Sequence, residues 1–254
     1  MSLFSLESKV ALITGSTKGI GRAIAERMAE QGARVVISSR NQDACDEVAA
    51  AIGQQGGQAI GIACNINYPE QLKALVDGTI AEYGQIDILV CNAALNPYFG
   101  PSRDIPDAAF DKVMQANIGS VHRLCNLVLP AMAERGGGAA IIVSSIGGLK
   151  GTDKLGAYAI SKAADMQIAR NLAVEWGADN IRVNCIAPGL IRTDFARALW
   201  ENPEIYQETV SKYPLRRIGE PDEIAGAAVF LASAAGSFTT GQTLVIDGGG
   251  TIAG

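Results

Sequence analysis

The sequence predicts an α/β fold, a doubly wound parallel sheet of about seven strands with helices on both faces. Three observations predict it. Short apolar runs rich in β-branched residues recur from one end to the other. Amphipathic stretches of helical length separate them. A glycine-rich turn, TGSTKGIG (14–21), joins the first apolar run to the first amphipathic one.

The strand candidates, in order, are KVALIT, ARVVIS, QAIGIAC, IDILVC, AAIIVSS, IRVNCIA and QTLVID. They are short and β-branched, which favours strands over helices. The helical patterns between them are IGRAIAERMAEQG, NQDACDEVAAAIGQQ, PEQLKALVDGTIAEYG, DAAFDKVMQANIGSVHRLCNLVLPAMAERG, LGAYAISKAADMQIARNLAVEWG and PDEIAGAAVFLASAA. Pro69 and Pro221 suit first-turn positions, and Gly32, Gly84 and Gly177 suit C-terminal caps. No linker, low-complexity block or short repeat interrupts the alternation, so one domain over 1–254 is expected. The stretch from about 190 to 215, with Pro203 and Pro214, is the least regular and is read as a substrate loop or lid.

Composition narrows the function. The 254 residues are 48% hydrophobic, which excludes disorder. The net charge of −5, with no basic run longer than Arg216-Arg217, gives no reason to expect nucleic acid or an anionic membrane. No apolar run is long enough to span a bilayer. Five cysteines (45, 64, 91, 125, 185) form no CxxC pair and read as buried thiols of a reducing compartment. The single histidine, His122, has no Cys or His partner at metal-ligand spacing, so no metal site is expected. MSLFSLESK is not a signal pattern and TIAG is not a targeting tripeptide, so a cytoplasmic location is expected.

The chemistry concentrates at the ends of the strands, where an open parallel sheet binds ligands. Gly15, Gly19 and Gly21 allow the backbone to pass close to a pyrophosphate attracted by the helix N-terminus. The second strand ends in Ser38-Ser39-Arg40, without the acidic residue that grips a ribose 2′-hydroxyl. Lys18 and Arg40 together suit a 2′-phosphate, and no carboxylate opposes it in this reading. Tyr158 and Lys162 stand four apart, hence on one helical face. A phenol titrates near ~10 when unperturbed, and a neighbouring ammonium stabilises the phenolate. Ser145 ends the fifth strand candidate, and Asn117 is a further buried-polar candidate.

These residues make the chain resemble, nearly end to end, the short-chain dehydrogenase/reductase family with its Rossmann-type sheet. TGSTKGIG resembles the family's TGxxxGxG, and CNAAL its NNAG. Asn117, Ser145, Tyr158 and Lys162 match the catalytic tetrad, and the thirteen-residue gap from Ser145 to Tyr158 selects Ser145 over Ser144. NCIAPGLIRT and GQTLVIDGGG match the nicotinamide-lining motif and the last strand. Two departures stand out. Cys91 and Ala94 replace an Asn and a Gly of NNAG, and Asn65 replaces an Asp that accepts from the adenine amino group. Both are expected to adjust cofactor affinity rather than abolish binding.

The resemblance implies hydride transfer between a nicotinamide and a carbonyl or secondary alcohol, with Tyr158 the proton donor. It implies that Ser145 holds the carbonyl oxygen, Lys162 the ribose, and Asn117 a relay water. The implied cofactor set is Gly15, Ser16, Thr17, Lys18, Gly19, Ile20, Gly21, Ser39, Arg40, Asn65, Ile66, Asn92, Ala93, Ala94, Tyr158, Lys162, Pro188, Gly189, Ile191 and Thr193. SSRN, NAALNPYFG, APGLIRT and LRRIGEP are most like NADPH-dependent carbonyl/retinal reductases of the peroxisomal type, so NADP(H) is expected over NAD(H). The substrate is expected to be a small-molecule carbonyl compound, a largely apolar ketone or aldehyde. Phe195, Leu199 and Trp200, with Tyr206 and Tyr213, form its wall on one side, and Asn96, Tyr98 (with Phe99) and Gly147 complete it. A homotetramer or homodimer is implied, and the pattern LGAYAISKAADMQIARNLAVEWG, apolar on more than one face, fits a subunit contact. Alternatives are an NAD-linked alcohol dehydrogenase, a 3-ketoacyl-type reductase, and a non-catalytic nucleotide-sensing scaffold.

Overall fold

The computed structural model describes residues 2–253. Seven parallel strands form one sheet in the order β3-β2-β1-β4-β5-β6-β7. They are β1 (Val10–Thr14), β2 (Arg34–Ser38), β3 (Gln58–Gly61), β4 (Ile88–Cys91), β5 (Gly138–Val143), β6 (Ile181–Pro188) and β7 (Thr243–Ile246). The order reverses between β1 and β4, so the crevice at their carboxyl ends is the ligand-binding switch point of such a sheet.

The strands read as continuous apolar runs because both faces are covered. Ala11 and Ile13 of β1, with Val35 and Ile37 of β2, enter one core, packed by α1 (Gly19–Glu30), α2 (Gln42–Gln54) and α9 (Pro221–Ala232). The intervening Leu12 and Val36 enter the other. That core is packed by α3 (Pro69–Tyr83), α5 (Ser120–Glu134) and α6 (Gly156–Trp176). The period of two along each strand therefore feeds two cores at once. All five cysteines are free and buried. No helix among the described residues is long and apolar enough to cross a membrane.

Several local expectations change in three dimensions. The pattern expected as one helix is α4 (Asp107–Val113), a π-helical stretch (Met114–Gly119) and then α5. The third strand ends at Gly61, short of Cys64. Pro69 and Pro221 do open their helices, and Gly84 takes the left-handed cap. Gly177 does not, because a 3₁₀ turn extends α6 and Asn180 adopts the left-handed conformation instead (φ 59°). The segment 190–215 is not an irregular loop. It holds a 3₁₀ turn (Asp194–Ala196), α7 (Arg197–Trp200) and α8 (Pro203–Lys212), the last opened by Pro203 and capped by the Asn202 side chain. Its prolines mark a helix start and a helix exit rather than disorder of pattern.

Candidate active site

The site forms where β1, β4, β5 and β6 end. At the β1 end, Gly15 and Gly19 take positive φ (66° and 56°). A Cβ on Gly21 would lie 2.3 Å from Gly15 O, and one on Gly19 would lie 3.1 Å from Thr193 Cγ2. A side chain is thus excluded at Gly21 by the Gly15 carbonyl, and Gly15 and Gly19 hold left-handed backbone that favours glycine. Lys18, the N-cap of α1, makes no side-chain cap, so the first N–H groups of that helix face the crevice without a side-chain acceptor.

The residues around this turn divide into those that build it and those that remain for a ligand. Ser16 is fully buried. Its hydroxyl donates to Ile13 O (2.7 Å) and accepts from Ser38 N (2.9 Å), locking β1 to β2 rather than facing a cofactor. Asn92 donates to Thr14 O and Gly15 O (3.0 Å each), which pins the turn to the end of β4. Thr14 Oγ1 in return accepts from Asn92 N and Ala93 N. Asn65 Oδ1, expected to face an adenine, already accepts from Asn67 N and Nδ2 (3.2 and 3.0 Å). Ile191 is buried in the core packed by α1, α2 and α9, with Ile20 partly buried against it, and Ile66 packs partly against the core on the other face of the sheet. Arg40 is exposed. Lys18 is not unopposed: its ammonium lies 3.6 Å from the Asp194 carboxylate. Asp194 comes from the distant 3₁₀ turn, and sequence separation concealed the pairing.

The four tetrad candidates are interlocked by bonds that the motif does not reveal. Asn117 is buried in the π-helical stretch. Its amide accepts from Leu95 N (2.9 Å) and donates to Leu95 O and Ser161 Oγ (3.0 Å each). The side chain thereby holds the β4 loop and ties it to α6, with one lone pair of Oδ1 not used by these bonds. Ser161, which the motif reading passed over, donates to Tyr158 O (2.7 Å). Ser144 donates to Lys162 O (2.6 Å), tying the end of β5 to α6. Ser145 is left for the crevice. Its hydroxyl accepts from Gly147 N (3.1 Å), and a Cβ on Gly147 would lie 3.4 Å from Ser145 Oγ and 4.0 Å from the Tyr158 ring. Gly147 therefore lies between the two. Lys162 is buried beneath Tyr158, with Nζ 5.7 Å from the ring centroid. That ammonium donates to Val143 O (2.9 Å) and to Asp165 Oδ2 (3.0 Å). Asp165 was not anticipated from the sequence, since a lone Asp within an apolar helix carries no motif.

The expected substrate wall is only partly assembled here. Phe195 is exposed and faces Tyr158, with ring centroids 6.1 Å apart. Trp200 turns away. Its indole N–H donates to Thr193 O (2.9 Å), Arg192 stacks on its ring, and it lines an open cleft with Gly19, Arg22 and Asp222. Leu199 beside it is half-buried. Tyr213 is buried and its hydroxyl accepts from Leu190 N (3.0 Å), a bracing role. Tyr206 lines a separate surface hollow with Arg217 and Glu223. Tyr98 folds onto its own loop, donating to Pro101 O (3.2 Å). Asn96 is half-buried on the same loop. Pro188 ends β6 and Gly189 follows it, where a Cβ would lie 2.8 Å from Asp247.

Residues 15–251 match a family model described as enoyl-(acyl carrier protein) reductase. The chain is 44% identical over 244 residues to dehydrogenase/reductase SDR family member 4 of Oryctolagus cuniculus, covering 96% of this chain and 94% of that protein. It is 42% identical over 246 residues to the 7alpha-hydroxysteroid dehydrogenase of Escherichia coli, covering 96% and 95%. Among solved structures, a 7alpha-hydroxysteroid dehydrogenase complexed with NADH and 7-oxo glycochenodeoxycholic acid superposes with a TM-score of 0.94 at 42% identity, covering 98% and 96%. A gluconate 5-dehydrogenase from Burkholderia cenocepacia, in complex with NADP and tartrate, does so at 0.95 and 33%, covering 99% and 98%. The sheet order, the strand-end site and these matches place the chain in the short-chain dehydrogenase/reductase family, oxidoreductases that act on alcohols and carbonyl compounds with NAD(P)(H).

Proposed function

We propose that the chain forms one Rossmann-type domain that transfers a hydride between NADP(H) and a largely apolar ketone or aldehyde, or the matching secondary alcohol. The observation that carries this reading is Tyr158 set over the buried Lys162 ammonium, with Ser145 across Gly147 from it. The glycine turn fits a dinucleotide, because Gly15, Gly19 and Gly21 stand where a Cβ would crowd its neighbours and the helix N–H groups lack a side-chain acceptor. The bound nicotinamide supplies or accepts the hydride. Tyr158 gives its proton to the carbonyl oxygen in reduction and takes it back in oxidation. Ser145 holds that oxygen by a hydrogen bond, and Lys162 keeps a third N–H for the nicotinamide ribose. Asn117 acts through Ser161 and Leu95 to hold the floor of the site. Phe195, presented to solvent over Tyr158, favours an apolar substrate.

Lys18 and Arg40 support NADP(H). A second reading, an NAD(H)-linked enzyme, is favoured by the Asp194 carboxylate that pairs with Lys18, and the similar solved structures include both an NADH and an NADP complex. A cytoplasmic homo-oligomer completes the proposal. The test is loss of reduced-nicotinamide absorbance, with NADPH and NADH in parallel, against ketones, aldehydes, keto acids and an enoyl thioester. Tyr158→Phe removes one oxygen and is expected to lower turnover by roughly 10²–10⁴ while the protein stays folded. Near-normal turnover in folded Tyr158→Phe, or activity on the enoyl thioester alone, would overturn the proposal.

A further inference from the structure

Asp165 lies three residues beyond Lys162 on α6 and is fully buried. Its Oδ2 accepts from Lys162 Nζ at 3.0 Å, and the two side chains are 0% and 5% exposed. Its other oxygen, Oδ1, is buried without a hydrogen-bond partner. A buried carboxylate with half its capacity unmet is costly, and an apolar side chain would fill the same space at less cost. Packing does not account for it.

The groups around the pair are few. Tyr158 and Lys162 face it from α6 and Cys185 from β6, the Cys185 thiol donating to Asp165 O at 3.3 Å. Cys91 on β4, with Cys125 on α5, also bears on the pair. Arg170, further along α6, donates to Gln167 (3.0 and 2.7 Å) and bears on Cys185 but not on the Asp165 carboxylate. Lys162 is the one cation among the described residues that bears on the Asp165 carboxylate. Burial alone drives Lys162 toward the neutral amine, but Asp165, and after it Tyr158, outweigh burial and hold the ammonium above its ordinary range. Burial pushes the Asp165 carboxyl up, and the Lys162 charge works against that rise.

We propose that Asp165 is a positioning residue whose carboxylate keeps the buried Lys162 protonated and holds its Nζ between Val143 O and the underside of Tyr158. The proposal rests on the reading of Lys162 as the partner of Tyr158. Without the counter-charge, a lysine in this place loses its proton within the neutral range, and Tyr158 loses the positive field beneath it. The proton then available to the active-site phenol is no longer governed by a fixed ammonium.

The test uses the whole cofactor-free protein labelled with [¹³Cε]lysine, the Lys162 signal being assigned by its loss in Lys162→Met. In wild type this signal is expected to stay that of an ammonium across the neutral range. In Asp165→Asn its midpoint is expected to fall into the neutral range or below it, toward the pH of about 5–6 documented for buried lysines without a counter-charge. Asp165→Glu, which keeps the charge, restores the wild-type signal. In assays, Asp165→Asn is expected to lose rate by roughly tenfold for each pH unit above the new midpoint and to regain it on acidification. A merely structural lesion would lower the rate equally at every pH. A charged Lys162 in Asp165→Asn, or a neutral one in wild type, overturns the proposal, and the wild-type titration decides where Asp165→Asn does not fold. Because the titration needs neither cofactor nor turnover, it stands apart from any failure of Tyr158→Phe.

Discussion

Arg40 and Asp194 pull the cofactor choice in opposite directions. Arg40 is exposed beyond β2, with no acidic residue beside it on that strand end. Lys18, which completes the cationic pair in sequence, is met by Asp194 at 3.6 Å. The same carboxylate is held by Arg197 and pulled below its ordinary range, chiefly by that hydrogen bond. Both Lys18 and Asp194 are largely in water, so their pairing is weak and salt-screened. A phosphate would compete for Lys18 more successfully than a neutral hydroxyl. Arg40→Ala is therefore expected to weaken NADPH binding about ten- to a hundredfold, the scale of one charge-assisted bond, and to leave NADH nearly unchanged. Asp194→Asn is expected to raise the preference for NADPH. Fluorescence titration of both cofactors against wild type and the two variants measures this, and equal wild-type affinities would reject the NADP reading. At this scale the sequence was legible for Ser145, Tyr158 and Lys162, which share one strand-to-helix neighbourhood. It was silent on Asp194 and Asp165, because one pairs across nearly the whole chain and the other has no motif.

The α9 helix starts with reciprocal bonds. Glu223 N donates to the Glu220 carbonyl (3.0 Å), and Glu223 Oε2 accepts from Glu220 N at 2.8 Å. Arg217 adds a fork to the Glu223 carboxylate (2.7 and 2.6 Å), tying the turn after α8 to this helix. The Arg217 bond first, and then the Glu220 N–H, pull Glu223 from 4.5 down to about 2. Its folded value lies below its unfolded one. The stabilisation is therefore complete above the ordinary glutamate range and is lost as pH falls from about 4.5 toward 2. Glu223→Gln is expected to lower the urea midpoint at neutral pH and to flatten its decline on acidification. An unchanged acid slope would show that the fork contributes nothing. The element scale also explains the π-helical stretch. Asn117 makes three hydrogen bonds with its amide, to Leu95 and Ser161. One extra residue in the turn is how a helix presents a side chain off its regular phase, and residue periodicity alone reads the region as continuous helix.

Assembly belongs to the whole molecule. On α6 the buried face, with Met166, Ala169, Leu172 and Ala173, packs on the sheet. The opposite stripe runs Ile160, Ala163, Gln167, Asn171, Val174, and all five are exposed. Gln167 and Asn171 are hydrogen-bonded to each other in its middle (2.7 Å), with apolar residues at both ends. The far edge of the sheet is β7, where Val245 is exposed, and Phe238 nearby projects wholly into solvent. An uncovered edge strand beside exposed aromatic surface calls for a partner. Light scattering at micromolar concentration is expected to give a dimer or tetramer mass, and Val174→Glu is expected to reduce it. A monomeric wild type would reject the oligomer.

The sequence by itself determined the architecture and the reaction class. Short continuous apolar runs separated by amphipathic helices leave only a sheet covered on both faces. The Gly15-Gly19-Gly21 turn and the Tyr158/Lys162 spacing are local patterns, set within a few residues by backbone sterics and helical pitch. Tertiary structure alone decided what those residues touch. It turned Ser16 and Asn92 inward as struts, brought Asp194 to Lys18, swung Trp200 away from Tyr158, and set Asp165 against Lys162 with one oxygen unmet. Contacts between distant segments, and the burial that fixes a charge's partner, depend on how whole elements pack. No spacing along a single strand or helix encodes them.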